Sequence, residues 1–149
     1  MASTVLFSEE QPPLLLDTHV LVRLTDGNQR LGARARDVIR LAYREDRAAV
    51  SAITPWEIAL LVSKKRLTLD QDVLSWVHTA LAVPGVRLIP LDPEIAVAST
   101  RLPWEMHPDP ADRVLVATAR HLGATLVTAD EALLEFARKG HFKALDATV

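Results

Sequence analysis

The chain is expected to fold as one α/β domain, with a central, mostly parallel sheet covered by helices on both faces. Short apolar runs alternate with longer stretches of helical period, the pattern of βαβ units. Most helical stretches open on an acid or a hydroxyl, several with proline next. No linker, internal repeat or low-complexity tract divides the 149 residues, a length that favours one domain with an ordinary core.

The elements follow in order. Residues 1–12 read as a polar, proline-ended flexible tail, leaving 13–149 as the domain. "PLLLD" (13–17), "AAVSAI" (48–53), "VRLIPL" (86–91) and "ATLVTAD" (124–130) have the look of buried strands, and "FKALDATV" (142–149) is a weaker fifth. Between them the spacing predicts helices over 30–46, 55–66, 70–82, 93–102, 111–122 and 131–139. Thr54-Pro55, Asp92-Pro93 and Asp109-Pro110 open three of these; Gly123 and Gly140 close two as left-handed caps. Over 30–47, Leu31, Ala35, Val38 and Ala42 share one face, and Arg36, Arg40, Arg44 and Arg47 the opposite one. The arginines read first as a solvated face, second as a phosphate-contacting stripe.

Composition narrows the functions. Apolar residues make up 49% and charged ones 24%, with a formal charge of −2, so no global basic field points to a nucleic-acid partner. There is no cysteine, hence no disulfide, thiolate zinc site or cysteine nucleophile, in keeping with a reducing compartment. No apolar run is long enough to span a bilayer, and "MASTVLFSEEQPP" lacks the form of a signal peptide. A cytoplasmic location is expected. The five histidines share no metal-ligand spacing, and neither a Ser-His-Asp triad nor a phosphate-cradling glycine loop is present. His107, just before Pro108-Asp109, could approach a cleft, although loop histidines of this kind mostly pack or face solvent. His19 is expected to point away from Asp17 if the chain is still extended there, and no histidine is given a catalytic role.

Four carboxylates stand out by position: Asp17 after the first strand, Glu57 in "TPWEIALL", Asp112 in "HPDPADRVLVATA" and Asp130 in "LVTADEALL". Each has a structural explanation. Asp17 and Asp130 can cap the elements that follow, Thr54 and Glu57 fit a capping box, and Asp112 suits the positive end of a helix dipole. The fold correlates them, however. Strand-to-helix loops of a parallel sheet gather at the carboxyl ends of the strands, where ligands bind. Four carboxylates in one partly dry crevice repel one another, so they take up protons or hold a divalent cation. All-oxygen donors suit Mg²⁺ or Mn²⁺, and such a site offers phosphoryl chemistry.

"LLLDTHVLVRL", "SAITPWEIALLVSKKRL" and "HPDPADRVLVATARHLGATLVTAD" together resemble the successive motifs of PIN-domain ribonucleases, the VapC toxins of type II toxin–antitoxin pairs in particular. The resemblance covers residues 14 to 149. It implies a three-layer α/β/α fold on a five-stranded sheet and RNA cleavage dependent on Mg²⁺ or Mn²⁺. It makes Asp17, Glu57, Asp112 and Asp130 the family's acidic quartet, with Asp17 and Asp112 as direct metal ligands. Glu57 would be a ligand or water-positioning base, and Asp130 a second-metal or water-mediated ligand. Thr18 and Thr128 match polar positions beside the first and last acids, Asp109 is read as a cap, and Arg113 as a partner of carboxylate or phosphate. A homodimer and a VapB-like antitoxin are implied as partners, with apolar surface at Trp56, Leu60, Leu61, Leu74 and Trp76. The tail is longer than is usual in the family. Two alternatives stand beside this reading: a housekeeping RNA-processing nuclease of the same fold, and a flavodoxin-like phosphoacceptor signalling domain.

Overall fold

The computed structural model describes residues 11–149; residues 1–10, and with them most of the predicted tail, lie outside the described residues. The strands are β1 (Leu14–Leu16), β2 (Ala48–Ser51), β3 (Val86–Ile89), β4 (Thr125–Thr128) and β5 (Lys143–Asp146). The helices are α1 (Thr18–Asp26), α2 (Ala33–Arg44), α3 (Ile53–Ser63), α4 (Val73–Leu81), α5 (Pro93–Ala98), α6 (Pro110–Leu122) and α7 (Glu131–Arg138). All four strand pairings are parallel, in the order β3-β2-β1-β4-β5. A flavodoxin-like sheet would place β3 beside β1. Here β3 is an outer strand, which removes the phosphoacceptor alternative.

Strand period explains the three layers. Successive side chains point to opposite faces, so Leu14, Leu16, Ala48, Val50 and Val127 meet α1, α2 and α4. Leu15, Ala49 and Leu126 meet α5, α6 and α7 on the other face. Leu15 and Leu16 are fully buried, each contributing about 2 kcal/mol of transfer free energy. Not every predicted strand is buried: β3 lies at the sheet edge, with Arg87 and Leu88 exposed.

Helix boundaries moved where caps decided them. α5 stops at Ala98, four residues short of the predicted end. α1 was not foreseen. Asp17 ends its strand and starts that helix in one step, its Oδ1 accepting from the Thr18 amide at 2.7 Å. Gly27, at φ 67°, closes it in the left-handed conformation that favours glycine. Thr54 is not the cap of α3. That helix begins at Ile53, whose amide donates to Ser51 Oγ at 3.1 Å, and Thr54 is buried inside its first turn. The predicted capping box is therefore absent.

The ends of the described chain are tied in. Arg47 donates to the Pro12 carbonyl at 3.1 Å. The amide of Gly32 donates to the Ala147 carbonyl and that of Ala35 to the Val149 carbonyl, both at 2.8 Å, so the last residues cap α2 in place of a side chain. No helix of the described residues is long and apolar enough to cross a membrane.

Candidate active site

The chain leaves β1 toward β2 and β3, then returns to place β4 on the other side of β1. The strand order reverses between these two neighbours, and the crevice above their carboxyl ends is the expected ligand position. Asp17 stands there, only 6% exposed. Its amide donates to the Val127 carbonyl at 3.0 Å, so β4 orients it directly. Both carboxylate oxygens are engaged, Oδ1 by the Thr18 amide and Oδ2 by the Thr128 hydroxyl, each at 2.7 Å. Burial pushes its pKa up, against the two hydrogen bonds that favour the charged form.

Thr128 links the first and last acids. Its hydroxyl donates to Asp17 and accepts from the Asp130 amide at 3.0 Å. Asp130 caps α7, its Oδ1 accepting from the Leu133 amide at 3.0 Å. The capping role read for Asp130 is real, and the residue also lines the crevice. Thr18 joins α1 to α3: its hydroxyl lies 3.2 Å from that of Thr54 and favours the charged form of Glu57. Desolvation raises the Glu57 pKa, and the charges of Asp17 and Asp109 raise it further.

Asp112 shows the strain most clearly. Burial first, then the charges of Asp109, Asp17, Asp130 and Glu57, push its pKa up to about 8. Asp109 caps α6 as expected, accepting from the Asp112 amide at 3.1 Å. His107 approaches Asp112 from outside the crevice lining, its Nε2 lying 3.5 Å from Asp112 Oδ2.

Asp17, Glu57, Asp112 and Asp130 thus line one crevice of about 300 Å³, joined by Asp109, His19 and Arg23. His19 and Arg23 were missed because α1 was not foreseen, and it is this helix that sets both, four residues apart, on the wall of the crevice. The available signal was Asp17 and Gly27 bracketing a stretch with Val20, Leu21 and Leu24 at helical spacing. Among the described residues, no three His, Asp or Glu side chains are gathered into a ready-made metal cluster. The crevice suits a hard divalent cation through its donors, which are carboxylate oxygens crowded enough to raise one another's pKa.

Other expectations were redirected. Arg113 pairs with no carboxylate among the described residues: it donates to the carbonyls of Ser99, Met106 and His107, at 3.2, 2.8 and 3.2 Å, and so fixes the loop before α6. The arginine stripe on α2 breaks up. Arg36 donates to the carbonyls of Asn28 and Leu31, and Arg47 pairs with Glu45 at 2.6 Å. Arg40 and Arg44 line a separate groove of about 440 Å³, formed with Leu24, Ile39, Tyr43 and Val83 near the amino ends of the strands. Trp76 is core, whereas Trp56 and Leu74 are 50% and 60% exposed.

Fold and motifs agree on a class: the chain belongs to the PIN-domain family, whose pattern matches residues 14–139. Within it the chain is similar to ribonuclease VapC22 of Mycobacterium tuberculosis, at 38% identity over 120 residues that cover 80% of this chain and 88% of that protein. Two solved structures share the fold. One is VapBC2 from Rickettsia felis bound to a promoter DNA fragment, with a TM-score of 0.66 and 18% identity over 89% of this chain and 97% of that one. The other is FitAcB from Neisseria gonorrhoeae, with a TM-score of 0.62 and 22% identity over 90% of this chain and 97% of that one.

Proposed function

We propose that this chain is a VapC-type toxin, an endoribonuclease that cleaves RNA with Mg²⁺ or Mn²⁺ held by the acidic crevice. One observation carries the reading. Four acids from four separate segments meet where the strand order reverses, at the expense of an Asp112 pKa pushed up to about 8. A site that resists its own charge is built for something positive.

In this reading Asp17 and Asp112 would hold the cation, with Glu57 and Asp130 available to assist. When bound, the ion would supply positive charge for the phosphate and a more acidic water. Thr128 and the Thr18 amide keep both oxygens of Asp17 in place, so one ligand is oriented before any ion arrives. Glu57, whose pKa is raised, is suited to take the proton of the attacking water. The water oxygen adds to phosphorus, the P–O bond to the departing ribose breaks, and that oxygen leaves protonated by solvent.

The partner is a VapB-like antitoxin, in line with the likeness to VapBC complexes and with the family resemblance of the motifs. A homodimer is proposed as well, with Trp56 and Leu74 as exposed apolar anchors. Light scattering that returned a strict monomer would remove the dimer. A housekeeping nuclease would use the same crevice. Growth arrest on expression, relieved by the product of a neighbouring small gene, separates the toxin from that alternative.

The test is cleavage of a mixed structured-RNA pool with Mg²⁺, Mn²⁺ or EDTA, beside an Asp17→Asn variant. Cutting that needs the metal and vanishes in the variant supports the reading. Undiminished cutting by Asp17→Asn overturns it.

A further inference from the structure

We infer that Arg23 docks a backbone phosphate of the RNA at the wall of the crevice formed by α1. The inference rests on the nuclease reading and adds to it a positioning residue outside the acidic quartet. His19 and Arg23 are four residues apart on α1, hence neighbours on one helix face, and both line the crevice. Arg23 shares about 300 Å³ with Asp17, Glu57, Asp109, Asp112 and Asp130. Yet its guanidinium enters none of the ion pairs found among the described residues. Arg36, Arg47, Arg113 and Arg138 behave differently, each donating to a carbonyl or a carboxylate.

If Arg23 served to balance the acids, it would pair with one of them, and it does not: no ion pair among the described residues joins Arg23 to a carboxylate. A half-buried guanidinium left unpaired beside five carboxylates has its donors available for an incoming anion. The incoming chain needs such a contact. A polyanion approaching five carboxylates is repelled, and one divalent cation offsets only part of that charge. The protein has a formal charge of −2 and no global basic field, so the attraction has to be local. A guanidinium meets phosphate through two parallel hydrogen bonds, which fixes orientation as well as adding affinity. Docked on α1, the phosphate next to the scissile one would set the direction in which RNA crosses the acids.

The experiment measures binding of a fluorescein-labelled, mixed-sequence single-stranded RNA by fluorescence anisotropy. It uses the cleavage-deficient Asp17→Asn protein with Mg²⁺, from about 50 to 200 mM salt. Adding Arg23→Ala is expected to weaken binding about tenfold and to lower the salt slope by about 0.7, one phosphate contact on a single strand. Adding Arg23→Lys should keep the slope and lose part of the affinity, because a point charge replaces a fork. Mn²⁺ affinity of the otherwise native protein, measured by calorimetry, should not change with Arg23→Ala. Unchanged affinity and slope in Arg23→Ala overturn the inference alone. So does a shift in Mn²⁺ affinity with the RNA slope intact, since Arg23 would then be balancing carboxylates. If the Asp17→Asn protein binds no RNA even at low salt, the nuclease reading fails and this inference with it.

Discussion

At the carboxyl ends of the strands, a crevice of about 300 Å³ is lined by five carboxylates. Near the amino ends, a groove of about 440 Å³ is lined by Leu24, Ile39, Tyr43, Ala80 and Val83, with Arg40 and Arg44 beside them. The groove is the larger concavity and the easier to explain. α1, α2 and α4 need those apolar side chains to cover the sheet, and all three contribute residues to the wall of the hollow. The crevice has no such excuse. Its charges oppose folding, and Asp17 sits at the centre of the sheet, where an apolar side chain would pack more favourably. Where local chemistry works against stability, function is the better explanation.

Several substitutions would break or sharpen that contrast. The largest effect is expected from Asp112→Asn, which removes a proposed metal ligand. Cleavage of the RNA pool should fall by more than about 100-fold, beyond the loss typical of an outer-shell partner. Residual activity near that of the native protein would detach Asp112 from the chemistry. Next comes Thr128→Val, which removes the hydroxyl linking Asp17 to the Asp130 amide. A loss of about 10- to 100-fold in activity or Mn²⁺ affinity is expected, with a melting temperature lowered by a few degrees because the buried Asp17 oxygen loses its partner.

A smaller effect runs in the opposite direction. Without metal, the folded state holds the Asp112 proton up to about pH 8, while the unfolded chain releases it near its ordinary value of 3.8. Between these limits the folded state binds more protons, so stability falls as pH rises through the window. Melting curves in EDTA should show that decline. Asp112→Asn should flatten it and raise stability at pH 8 by about 1–2 kcal/mol, discounted for the partial exposure of the group. A steeper decline in the variant would contradict the electrostatic account. The smallest effect belongs to the groove: Arg40→Ala with Arg44→Ala should leave cleavage within about twofold of native, as for surface changes away from the chemistry. A large loss would mean that the two concavities act together.

Much of this was legible in the residues themselves. The alternation of apolar runs announced the parallel sheet, and the period of "LLL" put Leu15 on one face with Leu14 and Leu16 on the other. The four acids stood out because strand ends and first helical turns converge in such a sheet. What stayed hidden was decided by contacts distant in sequence. Thr18-His19-Val20 continues a strand on propensity, since β-branched residues flank the histidine, and only packing of Val20 and Leu21 into the core makes it a helix. Thr54 has the form of a cap, but Ser51 takes that work and leaves Thr54 facing Thr18. Arg113 read as a ligand for anions because its three carbonyl partners lie on a loop whose path no local pattern dictates.

The placement of Asp17 just past the end of β1 and of Thr128 on the adjacent β4 has a consequence for how the protein breathes. Both are hydrogen-bonded across the β1–β4 ladder, so neither can leave its place unless the ladder opens. Amide protons from Leu15 to Asp17 and from Leu126 to Thr128 should therefore exchange with deuterium only when the whole molecule unfolds. A cation bound there would slow them all together, by the factor by which it raises overall stability.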